Sequence, residues 1–93
     1  LMLSAHMDTV PICVGCKPIR KGKYIRSADP KTGLGADDRA GCAAVLVSAL
    51  EALERDAAMP PLTLCFFVQE EIGLHGSRHA TVSKLGKPVM ALN

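Results

Sequence analysis

Apolar residues along the chain form three short runs. The longest, residues 62–68, has Thr63 as its only polar member and is rich in Phe, Leu and Val. This composition is typical of a strand that is buried on both faces of a sheet covered by helices. Shorter runs at residues 1–5 and 88–92 indicate two further strands. We therefore predict three strands, with residues 62–68 as the central one.

The segments between these runs predict two helices and a hairpin. A helix is expected from about residue 34 to about residue 55, because apolar residues recur there at spacings of three and four; they are Val45, Leu46, Ala49, Leu50 and Leu53. A short second helix is expected at residues 78–84, and a β-hairpin at residues 17–20 and 23–26. The alternation of strands and helices implies right-handed crossovers, a parallel sheet and an α/β fold.

Composition excludes some classes of function. Eleven basic and nine acidic residues give a net charge of +2, which is too weak and too scattered to indicate nucleic-acid binding. No apolar run approaches the roughly 20 residues that cross a bilayer, so we expect no membrane segment. The 93 residues begin and end within apolar runs, whereas domain termini usually lie in exposed segments. We therefore expect them to be part of a larger domain.

The four cysteines predict no metal or redox site. Cys13 and Cys16 form a C-x2-C pair in a loop between two prolines, and no second such pair follows. This pattern favours two loop thiols over a structural zinc site or a thioredoxin-like motif. Cys42 and Cys65 fall in the predicted helix and strand, where Cys usually acts as a small buried hydrophobe. Reduced thiols are the expectation for an intracellular, cytoplasmic protein.

Residues that suit metal binding follow two predicted strands and begin the first helix. His6 and Asp8 come after the first strand, Asp37 stands at the helix start, and Glu70 and Glu71 follow the longest apolar run. Strand carboxyl ends and helix starts share one edge of a parallel sheet, so all three groups can meet in one cleft. Imidazole and carboxylate ligands suit zinc, cobalt or manganese, and a bridging carboxylate allows two metals roughly 3.5–4 Å apart.

Each of these motifs also has an ordinary structural interpretation. The glutamate pair could open a solvated loop, and Asp37 and Asp38 could simply cap the helix. A single His-x-Asp is usually a surface loop. However, His6 and Asp8 project to the same side of an extended chain, so the carboxylate can accept the ring N–H and orient the imidazole. The agreement of three separate motifs favours the metal site.

Three segments, HMDTVP, IRSADPKTGLGADDRAG and FFVQEEIGLHGS in this order, resemble the di-zinc exopeptidases, and most closely the peptidase T-like tripeptide aminopeptidases. The resemblance covers nearly the whole chain. It implies a three-layer α/β/α fold with a mostly parallel sheet, of which residues 1–93 would be the N-terminal part of a single catalytic domain. It also implies an aminopeptidase that acts on short peptides and that can form a homodimer as a full-length protein.

The family pattern assigns a role to each candidate residue. His6 is a ligand of one metal, with Asp8 as its orienting partner, while Asp37 bridges both metals and Glu71 binds the other. The resemblance implies two divalent ions, zinc first, with cobalt or manganese as alternatives. In this family the peptide bond after the bridging Asp is typically cis, so we expect a cis bond between Asp37 and Asp38.

The same pattern makes Glu70 the general base, which takes a proton from a metal-bridged water and passes it to the departing amine. The family also needs a further Asp after the strand at residues 88–92, a distant C-terminal His and a lid or dimerisation domain, which residues 1–93 lack. His75 and His79 are not expected to replace the missing His. We therefore expect these residues alone to bind metal poorly and to be inactive.

The sequence motifs are also compatible with other functions. A related metallo-carboxypeptidase or N-acyl amino acid deacylase would share the motifs and differ in the pocket that recognises the substrate terminus. A non-catalytic homologue could keep the fold as a binding module. The least favoured alternative is a small α/β domain with fortuitous carboxylates.

Overall fold

The computed structural model describes residues 1–93 as a three-stranded parallel sheet, one long helix and a separate hairpin. The sheet consists of β1 (Met2–His6), β4 (Thr63–Phe67) and β5 (Ala91–Leu92). The hairpin consists of β2 (Pro18–Lys21) and β3 (Tyr24–Ser27). The helices are α1 (Ala36–Glu54) and α2 (His75–Arg78). Short 3-10 turns cover Pro11–Cys13 and Val82–Lys84. The predicted α/β fold with a parallel sheet is confirmed, as is the hairpin.

The strand order is β4-β1-β5, so β1 and not β4 is the middle strand. β1 pairs with β4 along its whole length, from Met2 opposite Thr63 to His6 opposite Phe67. It also carries two buried residues, whereas Cys65 is the only buried residue of β4. The prediction that residues 62–68 form the central strand is wrong, because an apolar run indicates burial but not the neighbours of the strand.

Helix α1 packs against β1 through small side chains. Ala49 is buried and Val45 is half-buried, but Leu46, Leu50 and Leu53 are 47%, 56% and 65% exposed. The predicted apolar stripe is therefore only partly correct. The side of α1 that faces the sheet is formed by smaller residues, which are next to the leucines in the sequence. α1 forms one helical layer on the sheet, and the second layer of a three-layer fold stays a prediction for the larger domain.

The predicted helix at residues 78–84 is wrong. The helix in this region lies earlier, at His75–Arg78, and a single 3-10 turn follows at Val82–Lys84. Thr81, between the helix and the turn, and Val82, which begins the turn, are β-branched and have low helix propensity, which explains the interruption. None of the helices combines the length and the hydropathy that a bilayer crossing requires.

The four cysteines are all free thiols. Cys65 is buried as predicted, and Cys42 is half-buried. Cys13 lies in a loop as expected but is buried, because Gly33 packs so closely that a Cβ there would lie 2.7 Å from the Cys13 sulfur. Cys13 is thus part of the packing between two loops.

Candidate metal centre

The carboxyl ends of β1 and β4 meet the start of α1 at one edge of the sheet. His6 is the last residue of β1, Asp37 lies in the first turn of α1, and Glu71 follows β4. These three residues offer ligand atoms that all lie within 4.8 Å of one another. The structure therefore brings together the three residues that the resemblance assigns as metal ligands, from positions 31 and 34 residues apart in the chain.

The His6 ring is oriented by a backbone carbonyl. Its Nδ1 lies 3.1 Å from the carbonyl oxygen of Asp8 and 3.5 Å from the Asp8 carboxylate. Because a carbonyl can only accept a hydrogen bond, Nδ1 carries a proton, and Nε2 is the ring nitrogen that could bind a metal. Nε2 lies 3.1 Å from Asp37 Oδ1 and 3.7 Å from Glu70 Oε2; without a metal it donates to the Asp37 carboxylate, which can only accept, and a bound metal ion would replace that proton. The predicted orienting contact exists, but the carbonyl of Asp8 provides the shorter one.

The electrostatics of the cluster favour a cation. No Lys or Arg forms an ion pair with Asp37, Glu70 or Glu71. Desolvation lowers the pKa of His6, but the hydrogen bond to Asp37 and the charges of Glu70 and Asp8 outweigh it, and the pKa lies above its ordinary value of 6.5. A group of carboxylates that raises the pKa of an imidazole would equally attract a divalent metal ion.

The Asp8 side chain contacts the loop that carries the two glutamates. Its Oδ1 accepts the backbone N–H of Glu70 at 3.0 Å, and its Oδ2 accepts that of Glu71 at 3.2 Å. Desolvation would raise the pKa of Asp8, but these two N–H donors outweigh it and lower the pKa below 3.8. Asp8 is therefore ionised at neutral pH and joins the end of β1 to the loop after β4.

Asp37 and Asp38 have different roles, although both stand in the first turn of α1. Their peptide bond is cis, as predicted, and both residues have non-helical backbone angles, so regular helix begins after Asp38. Asp38 Oδ1 accepts the N–H of Gly41 at 3.1 Å, which is the contact of a helix N-cap. Asp37 makes no such contact and its side chain, 85% exposed, points at His6. The capping interpretation therefore holds for Asp38 alone.

The first turn of α1 also makes two hydrogen bonds to the backbone of His6. Asp38 Oδ2 accepts the His6 N–H at 3.2 Å, and the Cys42 thiol donates to the His6 carbonyl at 3.2 Å. Burial and the nearby Asp38 charge raise the pKa of Cys42 above 9.0, so the thiol keeps the proton that it donates. Gly41 makes this packing feasible, because a Cβ there would collide with the Asp38 carboxylate.

The loop after β4 is held by the start of α2. The Gly76 N–H donates to the carbonyl of Val68 at 3.0 Å, and the His75 N–H to that of Gln69 at 3.0 Å. Gln69 has a positive φ of 57°, so the chain turns sharply away from the strand before Glu70. Glu70 is then only 37% exposed and lies beside the His6 ring, which differs from the solvated loop that was the alternative interpretation.

A cleft of about 390 Å³ opens beside the cluster. Residues that line it include His6, Asp37, Glu70 and Asn93. Asn93 follows β5, and its side-chain oxygen lies 2.9 Å from the hydroxyl of the buried Ser4. His75 and His79 stack on each other at 6.2 Å, are exposed, and lie outside the ligand cluster.

The donor set fits a zinc ion. One imidazole nitrogen and two carboxylate groups are ligands that catalytic zinc sites use, with a further position left for water or substrate. The same donors also suit cobalt and manganese. The fit follows from the chemistry and the mutual distances of His6, Asp37 and Glu71.

Sequence reasoning missed the residues that position these ligands. Asp38 and Cys42 contact the His6 backbone, and Gly41 and Gly76 allow the close packing around these contacts; residue type alone indicates none of these roles. The available signal was the close spacing of glycines to the acidic motifs, since a Gly often marks a close approach of two backbone segments. Gly41 follows Asp38 by three residues and Gly76 follows Glu71 by five.

Comparison with known proteins places these features in a family. The family model for peptidase family M28 matches residues 1–92. The chain is 35% identical over 78 residues to "Uncharacterized protein YqjE" of Bacillus subtilis (strain 168), which covers 84% of this chain and 21% of that protein. It is 37% identical over 86 residues to a "Probable carboxypeptidase" of Aspergillus terreus (strain NIH 2624 / FGSC A1156), which covers 91% of this chain and 19% of that protein. The chain thus spans about a fifth of the length of these relatives, and no solved structure gives a significant match.

Proposed function

The chain belongs to peptidase family M28, and from this premise we propose that it carries part of the active site of a metal-dependent exopeptidase. The observation that supports the proposal most is the cluster of His6, Asp37 and Glu71, with ligand atoms within 4.8 Å of one another. Glu70 stands directly beside these ligands, with a carboxylate oxygen 3.7 Å from His6 Nε2. A set of ligands with an adjacent free carboxylate is what metal-assisted hydrolysis requires.

We propose two divalent ions, most plausibly zinc, held in part by these residues. His6 would bind one ion through Nε2, Glu71 would bind the other, and Asp37 would bridge them. The remaining ligands would come from parts of the protein outside residues 1–93. Bound zinc supplies Lewis acidity, which lowers the pKa of a water molecule towards neutrality and polarises a peptide carbonyl.

Glu70 is the general base of this proposal. Its side chain is half-buried beside the ligands and makes no ion pair with Lys or Arg, so it is free to accept a proton from the attacking water. It would then donate that proton to the departing amine nitrogen. Asp8 holds the backbone of Glu70 through its carboxylate, so the base stays close to the ligands throughout the reaction.

The substrate is proposed to be a short peptide with a free amino terminus, as in the peptidase T-like enzymes that the motifs resemble. The matching protein named "Probable carboxypeptidase" supports a second candidate, hydrolysis at the carboxyl terminus. The two differ in which free terminus the enzyme needs. A tripeptide amidated at its carboxyl end and one acetylated at its amino end separate them, because an aminopeptidase cleaves only the first of these.

The test of the function uses the protein expressed from its complete coding sequence and purified without chelator. We expect about two zinc, cobalt or manganese ions per chain, which is the number for a bridged pair. Glu70→Ala should keep the metal and lose at least about 10²-fold in kcat, since this is the low end for general-base catalysis.

Glu54→Ala is the matched control, because Glu54 is an exposed carboxylate without an ion-pair partner. It should leave both metal content and kcat at the wild-type values. Near-normal turnover of Glu70→Ala would remove Glu70 from the role of base, and a folded wild-type protein that excludes added zinc would contradict the metal-dependent function.

A further inference from the structure

The carboxylate of Asp8 is engaged with both oxygens by neighbouring backbone N–H groups. Oδ1 accepts from Glu70 at 3.0 Å and Oδ2 accepts from Glu71 at 3.2 Å. These N–H groups make no backbone hydrogen bond, so Asp8 is their partner in the chain. We propose that Asp8 is a positioning residue that acts on the Glu70–Glu71 backbone and so sets the base and a metal ligand together, beyond its contact with the His6 ring.

The hydrogen bond that orients the His6 ring does not depend on this carboxylate. The shortest acceptor for Nδ1 is the backbone carbonyl of Asp8 at 3.1 Å. The nearer carboxylate oxygen is 3.5 Å away, at the outer limit for a hydrogen bond. Any residue at position 8 supplies the carbonyl, so the ring orientation would survive the loss of the side chain.

The glutamate loop, in contrast, needs an acceptor on its N–H side. After β4 the chain leaves the sheet at Gln69, which has a φ of 57°, and so Glu70 and Glu71 have no ladder partner. The Glu70 carbonyl already has two donors, because the N–H groups of Gly73 and Leu74 both bond to it. Two successive N–H groups in such a turn form a concavity that binds an anion, and Asp8 supplies the anion from within the chain.

This arrangement links two functional groups to one side chain. Glu70 carries the proposed base and Glu71 a proposed ligand, so a shift of their shared backbone displaces both. The consequence for catalysis rests on the proposed function, whereas the contacts themselves do not. Loss of an outer partner of a metal site typically costs about 10- to 100-fold in metal affinity or activity.

The experiment compares Asp8→Ala and Asp8→Asn with wild type in the full-length, metal-free protein. Hydrogen exchange resolved to single amides reports the loop, and the ¹⁵N shifts of the His6 ring report its tautomer. In Asp8→Ala, we expect exchange at Glu70 and Glu71 to accelerate about tenfold or more, because each loses a charged acceptor. At alkaline pH, where the His6 ring is neutral in both proteins, its tautomer should stay that of wild type, because the Asp8 carbonyl remains.

Three controls make the result specific. The N–H of Met7, which donates to the Phe67 carbonyl, should keep its wild-type exchange rate. Asp29→Ala removes another carboxylate that accepts a backbone N–H, that of Lys31 at 2.8 Å, and should leave zinc affinity unchanged. Asp8→Asn keeps one acceptor oxygen, so only one of the two amides should accelerate; this variant carries the test if Asp8→Ala does not fold.

Zinc affinity, measured by competition with a chelating dye, should fall about 10- to 100-fold in Asp8→Ala. A changed His6 tautomer with wild-type exchange at Glu70 and Glu71 would overturn the proposal and assign Asp8 to the ring. Unchanged values for both would also overturn it. Because exchange and ring shifts need no substrate, they decide this proposal even if the protein hydrolyses no peptide.

Discussion

Two regions of this structure, the carboxyl edge of the sheet and the β2–β3 hairpin, are stabilised in different ways. At the carboxyl edge of the sheet, side chains bind backbone groups of other segments: Asp38 binds the N–H of His6, and Asp8 binds those of Glu70 and Glu71. In the β2–β3 hairpin every residue except Ser27 is exposed, and the two strands make backbone hydrogen bonds only with each other. The hairpin is a local unit, whereas the edge is assembled from three distant segments.

This difference matters because apolar packing is sparse throughout. Only six of the 93 residues are buried, and none of them is larger than Cys. Such a core cannot fix the position of a ligand through tight packing alone. The positions of His6, Glu70 and Glu71 therefore depend on hydrogen bonds to their backbone. Changes at the edge should affect both stability and metal binding, whereas changes in the hairpin should leave metal binding unchanged.

Gly76→Ala, at the carboxyl edge of the sheet, is expected to have the largest effect on stability and metal binding. A Cβ at Gly76 would lie 2.3 Å from the carbonyl oxygen and 2.8 Å from the nitrogen of Val68, so the backbone before Glu70 must move. We expect the free energy of unfolding to fall by about 1–3 kcal/mol, the usual cost of forcing extra atoms into a packed site. Metal affinity should fall as well. Urea denaturation and zinc titration measure the two effects.

Gly22→Ala in the hairpin is the matched change. Its Cβ would meet nothing within 4 Å, but φ is +62°, and a left-handed conformation costs a non-Gly residue about 1–2 kcal/mol. This variant should lose some stability and keep wild-type zinc affinity. The comparison fails if Gly22→Ala weakens zinc binding as much as Gly76→Ala does.

A second prediction concerns the pH dependence of the stability of the metal-free protein. Neighbouring carboxylates raise the pKa of His6 above 6.5. Protonated His6 therefore stabilises the fold below pH 6.5, and this contribution is lost as the pH rises through the raised pKa. The loss of stability in His6→Gln should thus be larger at about pH 5.5 than at about pH 8.5. Equal losses at both pH values, measured by urea denaturation without metal, would contradict the prediction.

The smallest effect is expected from Lys23→Gln in the hairpin. The Lys23 ammonium lies 5.4 Å from the centre of the Tyr24 ring, and an exposed cation–π contact contributes only about 0.5–1 kcal/mol. The substitution should lower the free energy of unfolding by no more than this. Zinc affinity and kcat should not change; a clear loss of either would mean that the hairpin takes part in the site.

The sequence predicted the parts of the fold that depend on local pattern. The hairpin around Lys21 and Gly22, the long helix and the parallel sheet all follow from periodicity and element order. The meeting of His6, Asp37 and the Glu70–Glu71 pair was accessible as well, because parallel strands and helix starts share one edge. The choice of Glu71 as the ligand came from the family resemblance.

What the sequence did not predict depends on three-dimensional packing. Strand order is a property of the assembled sheet, so the most apolar run was wrongly placed in the middle of it. The leucines of α1 fit a helical period but lie beside the contact, because the small Ala49 allows a closer approach to β1. The backbone contacts of Asp38 and Asp8 join segments 32 and 62 residues apart, and no local pattern indicates them.

The parallel pairing of β1 with β4 also has a consequence for synthesis of the protein. His6 pairs with Phe67, and its partner ligand Glu71 lies 65 residues later in the chain. At ribosomal rates of about 5–20 residues per second, His6 is made about 3–13 s before Glu71. Loop closure over such separations also makes folding slow. The nascent chain therefore carries an unpaired β1 for seconds, before the last residue of the candidate metal centre is made.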